Sequence, residues 1–300
     1  MKNKITTFSL IIIYSFIYLN NKTLWSMQKQ KDYECTLDLS NTIMLNYFDK
    51  LIKIKIKESR SNIFYLIHSL AEILDIDSSA HLNQQYKSCS FKFGDINKIL
   101  SKYFKYYKID VNTQNKMGDS PLIQAINLNY KNISKFLIKY PKTNINLKNN
   151  DKQNALMIAA EQPNRIKAIK YIIKYKNSNI DINDKNKYKR TALMIAASNN
   201  NAEALTLILS HPYTNINLKD QDGFTALFLA SHLGLYNIVE MLLEQKEIDT
   251  DLTDNHGDTA ETIVIKSYNI SCIVKNKILI NIYNNLINLF QEHKIRKSLT

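Results

Sequence analysis

Downstream of about residue 93, the apolar positions of this 300-residue chain fall into short bursts, and the bursts come in pairs. The first member of each pair is built round a small residue: Ala125, Ala159, Ala196 and Ala230 hold one aligned position, where close packing of neighbouring helices needs little bulk. The second member carries an apolar stripe: Phe136-Leu137-Ile138, Tyr171-Ile172-Ile173, Leu207-Ile208-Leu209 and Met241-Leu242-Leu243. Polar stretches with turn chemistry separate the pairs. In them an Asx residue is followed three positions later by Gly118, Gly223 or Gly257, which are free to take positive φ. Ser120, Thr191, Thr225 and Thr259 then stand where a helix N-cap belongs, and Pro121 stands at the first helical position. The pattern predicts units made of one turn and two short helices.

The units are copies of one another. The hexamer ALMIAA occurs at Ala155–Ala160 and again 37 positions later at Ala192–Ala197. An apolar anchor recurs at Leu122, Leu156, Leu193 and Leu227, with spacings of 34, 37 and 34. A polar–aliphatic–Asn step precedes it in Asp110–Asn112, Asn144–Asn146, Asp181–Asn183 and Asn215–Asn217, and in degraded form at Asp249–Asp251. Three residues beyond each step comes an Asx: Asn115, Asn149, Asn186, Asp220 and Asp254. Lys152 and Lys189 hold the turn-glycine position in the two remaining units. All four prolines fall on predicted boundaries: Pro121 opens a first helix, Pro163 lies between helices, and Pro141 and Pro212 follow second helices. Agreement at so many positions identifies a repeat array.

These units resemble ankyrin repeats. That family's pattern opens on Gly-x-Thr-Pro-Leu, carries an Ala-Ala pair, a Gly break and a Leu-Leu pair, and ends on Asp-Val-Asn. The copy nearest to it is GFTALFLASHLGLYNIVEMLLEQKEID, Gly223–Asp249. The resemblance covers roughly Gly94 to Phe290 and implies an all-α ankyrin-repeat solenoid of about five repeats plus partial caps. Array boundaries are expected at 93–290, with units near 113–146, 147–183, 184–217 and 218–251. A partial unit is expected near 81–112, a cap at 252–290 and a tail at 291–300. Phe93–Tyr107 reads as a second helix without a clear first, and Ile278–Phe290 as a capping helix. The departures have physical content. A lysine at positive φ costs on the order of 1 kcal/mol. Glu161-Gln162-Pro163 and Asn177–Ile180 lengthen the second unit and account for its 37-residue interval. Glu261 replaces the anchor leucine, as suits a terminal repeat whose outer face meets water.

Residues 27–92 lie largely outside this pattern. Ser40–Ile56 and Ser61–Leu74 space their apolar residues as helices do, whereas Ile52–Lys57 alternates, which also suits a strand. Before them, a basic start (Lys2, Lys4) precedes an apolar run, Ile5–Leu19, that is shorter than the roughly 20 residues of a spanning helix. The segment 1–26 is expected to be a signal peptide cut after Ser26, with an uncleaved anchor at 5–19 as the alternative. Either takes the rest of the chain out of the cytosol of the cell that makes it: the protein is expected to be secreted, or else held at a membrane by that anchor. Cys35, Cys89 and Cys272 are too few for a disulfide framework, although Cys35 and Cys89 have the option of pairing.

The net charge of +13 would ordinarily point to a polyanionic partner. The same composition, rich in Lys, Asn, Ile and Tyr with only five Gly and four Pro, is also what an A/T-biased genome produces, so nucleic acid is not the expected partner. Such genomes are common among intracellular parasites and symbionts, which makes a host protein a candidate target. The chemistry of an enzyme is missing. His68, His81, His211, His232, His256 and His293 are scattered without metal-ligand spacing, and no phosphate-binding glycine loop or nucleophile elbow occurs. No cofactor and no metal are expected, and the protein is expected to act as a monomer.

The remaining reading is a non-enzymatic scaffold that binds another protein along the concave side of the stack. By resemblance to the family, the tip pairs Lys116-Met117, Asn150-Asp151, Lys187-Tyr188 and Gln221-Asp222 would touch the partner, with Asp119, Gln153, Arg190 and Phe224 beside them. Asn127, Glu161, Ser198 and His232 are the corresponding candidates on the first helices. Tyr188, Arg190 and Phe224 are of the types that anchor interfaces, unless Phe224 folds back on its own hairpin. The rival reading is electrostatic. Lys135/Lys139, Lys170/Lys174, Thr206/Ser210 and Glu240/Glu244 form a column running from basic to acidic, so the N-terminal half could meet nucleic acid or an anionic membrane.

Overall fold

A computed structural model of the chain describes residues 49–50, 52–56, 62–74, 93–174 and 180–299. The apolar run at 5–19, Cys35, Cys89 and the insertion residues 177–179 lie outside the described residues. Residues 49–50 and 52–56 are helical, and twelve α-helices follow them among the described residues: α1 (Ile63–Leu74), α2 (Phe93–Tyr106), α3 (Pro121–Asn127), α4 (Lys131–Lys139), α5 (Ala155–Ala160), α6 (Ile166–Lys174), α7 (Ala192–Ser198), α8 (Ala202–Leu209), α9 (Ala226–His232), α10 (Tyr236–Leu243), α11 (Ala260–Ile273) and α12 (Lys277–Ser298). The α-helices from α3 onward alternate between two layers. The inner helices α3, α5, α7, α9 and α11 stack on one another, and so do the outer helices α4, α6, α8, α10 and α12. The result is the two-layered solenoid that the resemblance implies.

Local chemistry starts and stops the helices where expected. The side chains of Ser120, Thr191, Thr225 and Thr259 accept the backbone N–H three residues on, and Pro121 opens α3. In the second unit Asn154 does the same work, accepting from Met157 N. Pro163 starts a single 3₁₀ turn, Pro163–Arg165, that leads into α6. In the other units the break between inner and outer helix is made by a left-handed residue: Asn129, Asn200, Gly234 and Lys275. Packing then follows from residue size. Ala125, Ala159, Ala196 and Ala230 have no exposed surface, and the anchor leucines are buried beside them. The buried apolar side chains from Ile52 to Phe290 form one continuous cluster.

The ends differ from the middle. At the N-terminus, residues 52–56 are helical rather than extended. α1 packs on α3 and α4, so it covers the inner-layer position for which the sequence offers no local first helix. α2 joins the outer layer through Phe104, which meets Phe136 edge-on at 5.2 Å and Tyr140 at 5.8 Å between ring centroids. Residues 49–74 therefore contribute Ile52, Ile63, Leu66, Ile67 and Leu70 to the solenoid's own core. At the C-terminus α11 and α12 are longer than any repeat helix, and α12 continues past Phe290 to Ser298, through most of the expected tail. Its Lys294 pairs with Glu261 at 2.6 Å. That explains the acid at the anchor position: the terminal unit replaces a packed leucine with an ion pair to its own cap.

The turn that follows each polar–aliphatic–Asn step closes on a left-handed residue, and Lys152 (φ 57°) and Lys189 (φ 60°) adopt that geometry just as Gly118 and Gly223 do. Lys152→Gly and Lys189→Gly should each stabilise the fold by up to about 1 kcal/mol, while Asp222→Gly brings no gain. The glycines are unequal in the other direction. A Cβ on Gly118 would lie 2.5 Å from Asn150 Oδ1 and one on Gly223 2.8 Å from Asn255 N, whereas Gly257 opens onto free space. Gly257→Ala should therefore cost only the backbone strain of about 1 kcal/mol, and Gly118→Ala or Gly223→Ala at least twice that. Urea denaturation of the five variants and Asp222→Gly checks the ranking.

Candidate interaction face

The candidate face begins with the five Asx residues. Each places its side-chain oxygen under its own turn, where it accepts two backbone N–H groups. Asn115 accepts from Met117 and Asp119, Asn149 from Asp151 and Gln153, Asn186 from Tyr188 and Arg190, Asp220 from Asp222 and Phe224, and Asp254 from His256 and Asp258. The turns so formed are zipped together. Asn150 N donates to Met117 O, Lys187 N to Asp151 O, Gln221 N to Tyr188 O and Asn255 N to Asp222 O, all at 2.9–3.1 Å. Every predicted tip pair is thereby brought into one row. A fifth pair, Asn255-His256, continues that row and is exposed. It shares the Asx register through Asp254, which is the signal by which the sequence reveals it.

Along the row the side chains divide by exposure. Lys116, Met117, Asn150, Asp151, Lys187, Tyr188, Gln221 and Asp222 are exposed. Met117 shows 69% of its surface and Tyr188 46%, large values for apolar groups on an otherwise polar edge. Lys187 bonds Asp151 at 2.7 Å and lies over the Tyr188 ring at 4.9 Å. The Asp151 carboxylate, followed by Tyr188, holds its ammonium above the usual lysine range. Asn150 and Asn255 donate their amides to the carbonyls of Lys116 and Gln221, each at 3.0 Å.

The second column of candidates faces the stack itself. Asp119 accepts from Asn149 Nδ2 at 3.1 Å, and Gln153 donates to Glu161 at 2.9 Å. Arg190 Nε donates at 3.0 Å to Asp220, whose side chain is wholly buried. Phe224 is half-buried and stacks flat on Phe228, with centroids 4.5 Å apart and an interplanar angle of 5°. The exposed Phe expected at this tip is therefore turned onto its own hairpin, because the next helical turn offers an aromatic face four residues on. Two of the three anchor types are thus occupied inside the molecule, and Tyr188 is the one left outward.

On the inner helices Asn127 and His232 are exposed, while Glu161 and Ser198 are half-buried. Arg165, absent from the expected site residues, organises this end. Its guanidinium donates to Ile158 O, to Asn127 O and Oδ1, and to Glu161 at 3.4 Å. Ser198 returns its hydroxyl proton to Ile195 O, and the His232 carbonyl accepts from Tyr283 Oη at 3.1 Å. Among the described residues no group of three or more His, Cys, Asp or Glu is placed to hold a metal ion. What the arrangement offers is a long polar edge with two protruding apolar side chains, suited to another macromolecule's surface.

Comparison with known proteins agrees with this architecture. A family model described as "Ankyrin repeats (3 copies)" matches residues 89–186 and 176–256. Alpha-latrotoxin-Lg1a of Latrodectus geometricus is 34% identical over 93 residues, which is 30% of this chain and only 6% of the toxin. Among solved structures, EF0377, an ankyrin-repeat protein, superposes with a TM-score of 0.55 at 24% identity, covering 65% of this chain and 91% of that one. At that identity the likeness bears on fold alone. Matched over more than half its length by the family's own pattern, and built of the stacked units described above, the chain belongs to the ankyrin-repeat family, whose repeats generally mediate protein–protein interaction.

Proposed function

We propose that this protein is an exported, non-enzymatic scaffold that binds a protein partner, a host protein in our reading, through its turn tips and inner helices. The observation that carries the proposal is the zipped row of tips. Backbone hydrogen bonds fix the spacing of successive tips, so their outward side chains form a pre-organised surface that loses little freedom on binding. Export is supported by the basic start and apolar run of residues 1–19. The Lys-, Asn- and Ile-rich composition supports the host-directed reading.

Binding and folding should separate cleanly on this face. Interface affinity concentrates in a few central aromatic and Arg side chains. Tyr188→Ala should weaken the main partner by about 2 kcal/mol, read by surface plasmon resonance, with unchanged thermal stability. Arg190→Ala should instead lower folding stability by about 2 kcal/mol. It strands a buried carboxylate, but Arg190 is one-third exposed and Asp220 keeps two backbone donors, so the loss is smaller than for a fully buried pair. Affinity capture with the chain as bait identifies the partner. Should Tyr188→Ala and Met117→Ala leave a captured protein bound at full affinity, the tip row is not the site. For export, the N-terminus of the protein recovered outside the producing cell should be Met27. Recovery only with membranes and with an N-terminus at Met1 would favour the anchor.

A further inference from the structure

The outer helices differ sharply in charge. α2 carries Lys98, Lys102 and Lys105, α4 carries Lys131, Lys135 and Lys139, and α6 carries Lys167, Lys170 and Lys174. α4 and α6 contain no acid, and α2 contains Asp95 alone. The next two outer helices, α8 and α10, contain no lysine and bear Glu203 and Glu240. A genome-wide drift toward lysine codons would load these five helices alike, which it does not; the capping outer helix α12 carries lysine again, at Lys277, Lys294 and Lys297. The lysines lie on one side, since the opposite stripe of α4 (Ile133, Phe136, Leu137) and of α6 (Ala168, Ile169, Ile172) is buried in the core. All are exposed except Lys135, which is half-buried with its ammonium 5.3 Å from the Tyr171 ring centroid.

With outer helices about 10 Å apart and a rise of 1.5 Å per residue, the nine ammonium groups cover a face of about 20 by 12 Å. Lys98, Lys102 and Lys105, with Asn97 and Ser101, also line a shallow open groove on α2. Tyr106, 75% exposed, and the exposed Tyr107 follow Lys105 in the chain.

We infer that this lysine face docks against an anionic lipid bilayer. Lysine is a hydrated point charge, suited to many mobile phosphates and carboxylates in a plane; the planar fork that reads one fixed phosphate belongs to arginine, which the face lacks. A single-stranded nucleic-acid site interleaves exposed aromatics along a basic channel. Here the rings among the lysines, Tyr103 under Lys102 and Tyr171 under Lys135, are buried or half-buried, while the exposed Tyr106 and Tyr107 follow the last lysine of α2 and are of a type favoured at a membrane interface. Asp49, among the first described residues, holds α2 by accepting from Tyr103 Oη at 2.6 Å. The inference does not rest on the tip row, which lies on the other layer of the solenoid.

The test uses the full chain and vesicles of phosphatidylcholine, alone or with about 30 mol% phosphatidylserine, at about 0.1 M salt. Each lysine near an anionic surface is worth roughly fivefold in partitioning. Lys131→Gln, Lys167→Gln and Lys174→Gln combined should therefore lower binding to the anionic vesicles about a hundredfold. The arginine triple at the same positions should keep it. So should Lys246→Gln, Lys275→Gln and Lys277→Gln combined, which removes the same charge elsewhere. Three results overturn the inference: equal binding to neutral and anionic vesicles, equal losses from the two glutamine triples, or tighter, equally lysine-dependent binding of a duplex DNA. Circular dichroism confirms that each variant is folded before it is scored.

Discussion

One side-chain oxygen per unit underlies the whole array. In every turn an Asn or Asp accepts the N–H groups two and four residues ahead, which bends the chain into a hairpin and fixes the direction of its tip. Only with the tips so fixed can the N–H of one meet the carbonyl of the next, and that ladder sets the repeat-to-repeat spacing at which the inner alanines pack. The helices are short, with inner ones of six or seven residues from α3 to α9, too few to persist alone. Their stability comes from stacking, and the stacking depends on the turns.

A second contact carries the same logic between units. Asn112, Asn183 and Asn217 each reach forward, accepting from a backbone N–H of the next unit's step and donating to a carbonyl two residues before it. Coupling also explains why the turn residue varies. Gly118 and Gly223 are followed one unit later by Asn150 and Asn255, whose short amides lie against the turn and bond the preceding tip. Lys152 and Lys189 are followed by Lys187 and Gln221 instead, for which no such bond to the preceding tip's backbone forms through the side chain. At Gly118 and Gly223 a Cβ would meet both that asparagine's side-chain oxygen and its backbone nitrogen.

Much of this was legible in the sequence because its causes are local. N-caps, proline positions, turn Asx residues and buried alanines each follow from a few neighbouring residues, and repetition multiplies the signal. What stayed hidden depends on contacts between distant positions. α1 has helical spacing at Ile63, Leu66, Ile67 and Leu70, but nothing near it says that it covers α3. Glu261 reads as a solvated substitution until Lys294, 33 residues on, is seen beside it. Arg190 and Phe224 have the composition of interface anchors; only the placement of Asp220 and Phe228 turns them inward. For Phe224 the i, i+4 aromatic pair was a local signal, and for Arg190 there was none.

The same scaffold thus divides its labour by layer. On the tips hydrogen bonds tie down the side chains of Asn150, Asp151, Lys187 and Asn255, and the apolar Met117 and Tyr188 stand out in an ordered row of polar residues. The outer helices are less constrained: beyond their buried stripe most positions are solvated, with Lys170 of α6 paired to Glu203 of α8 at 2.8 Å. Charge can therefore change from one outer helix to the next without disturbing the fold, as it does between α6 and α8. A repeat solenoid built this way can hold its binding edge fixed while its outer surface is tuned independently, because the interactions that define the two layers scarcely overlap.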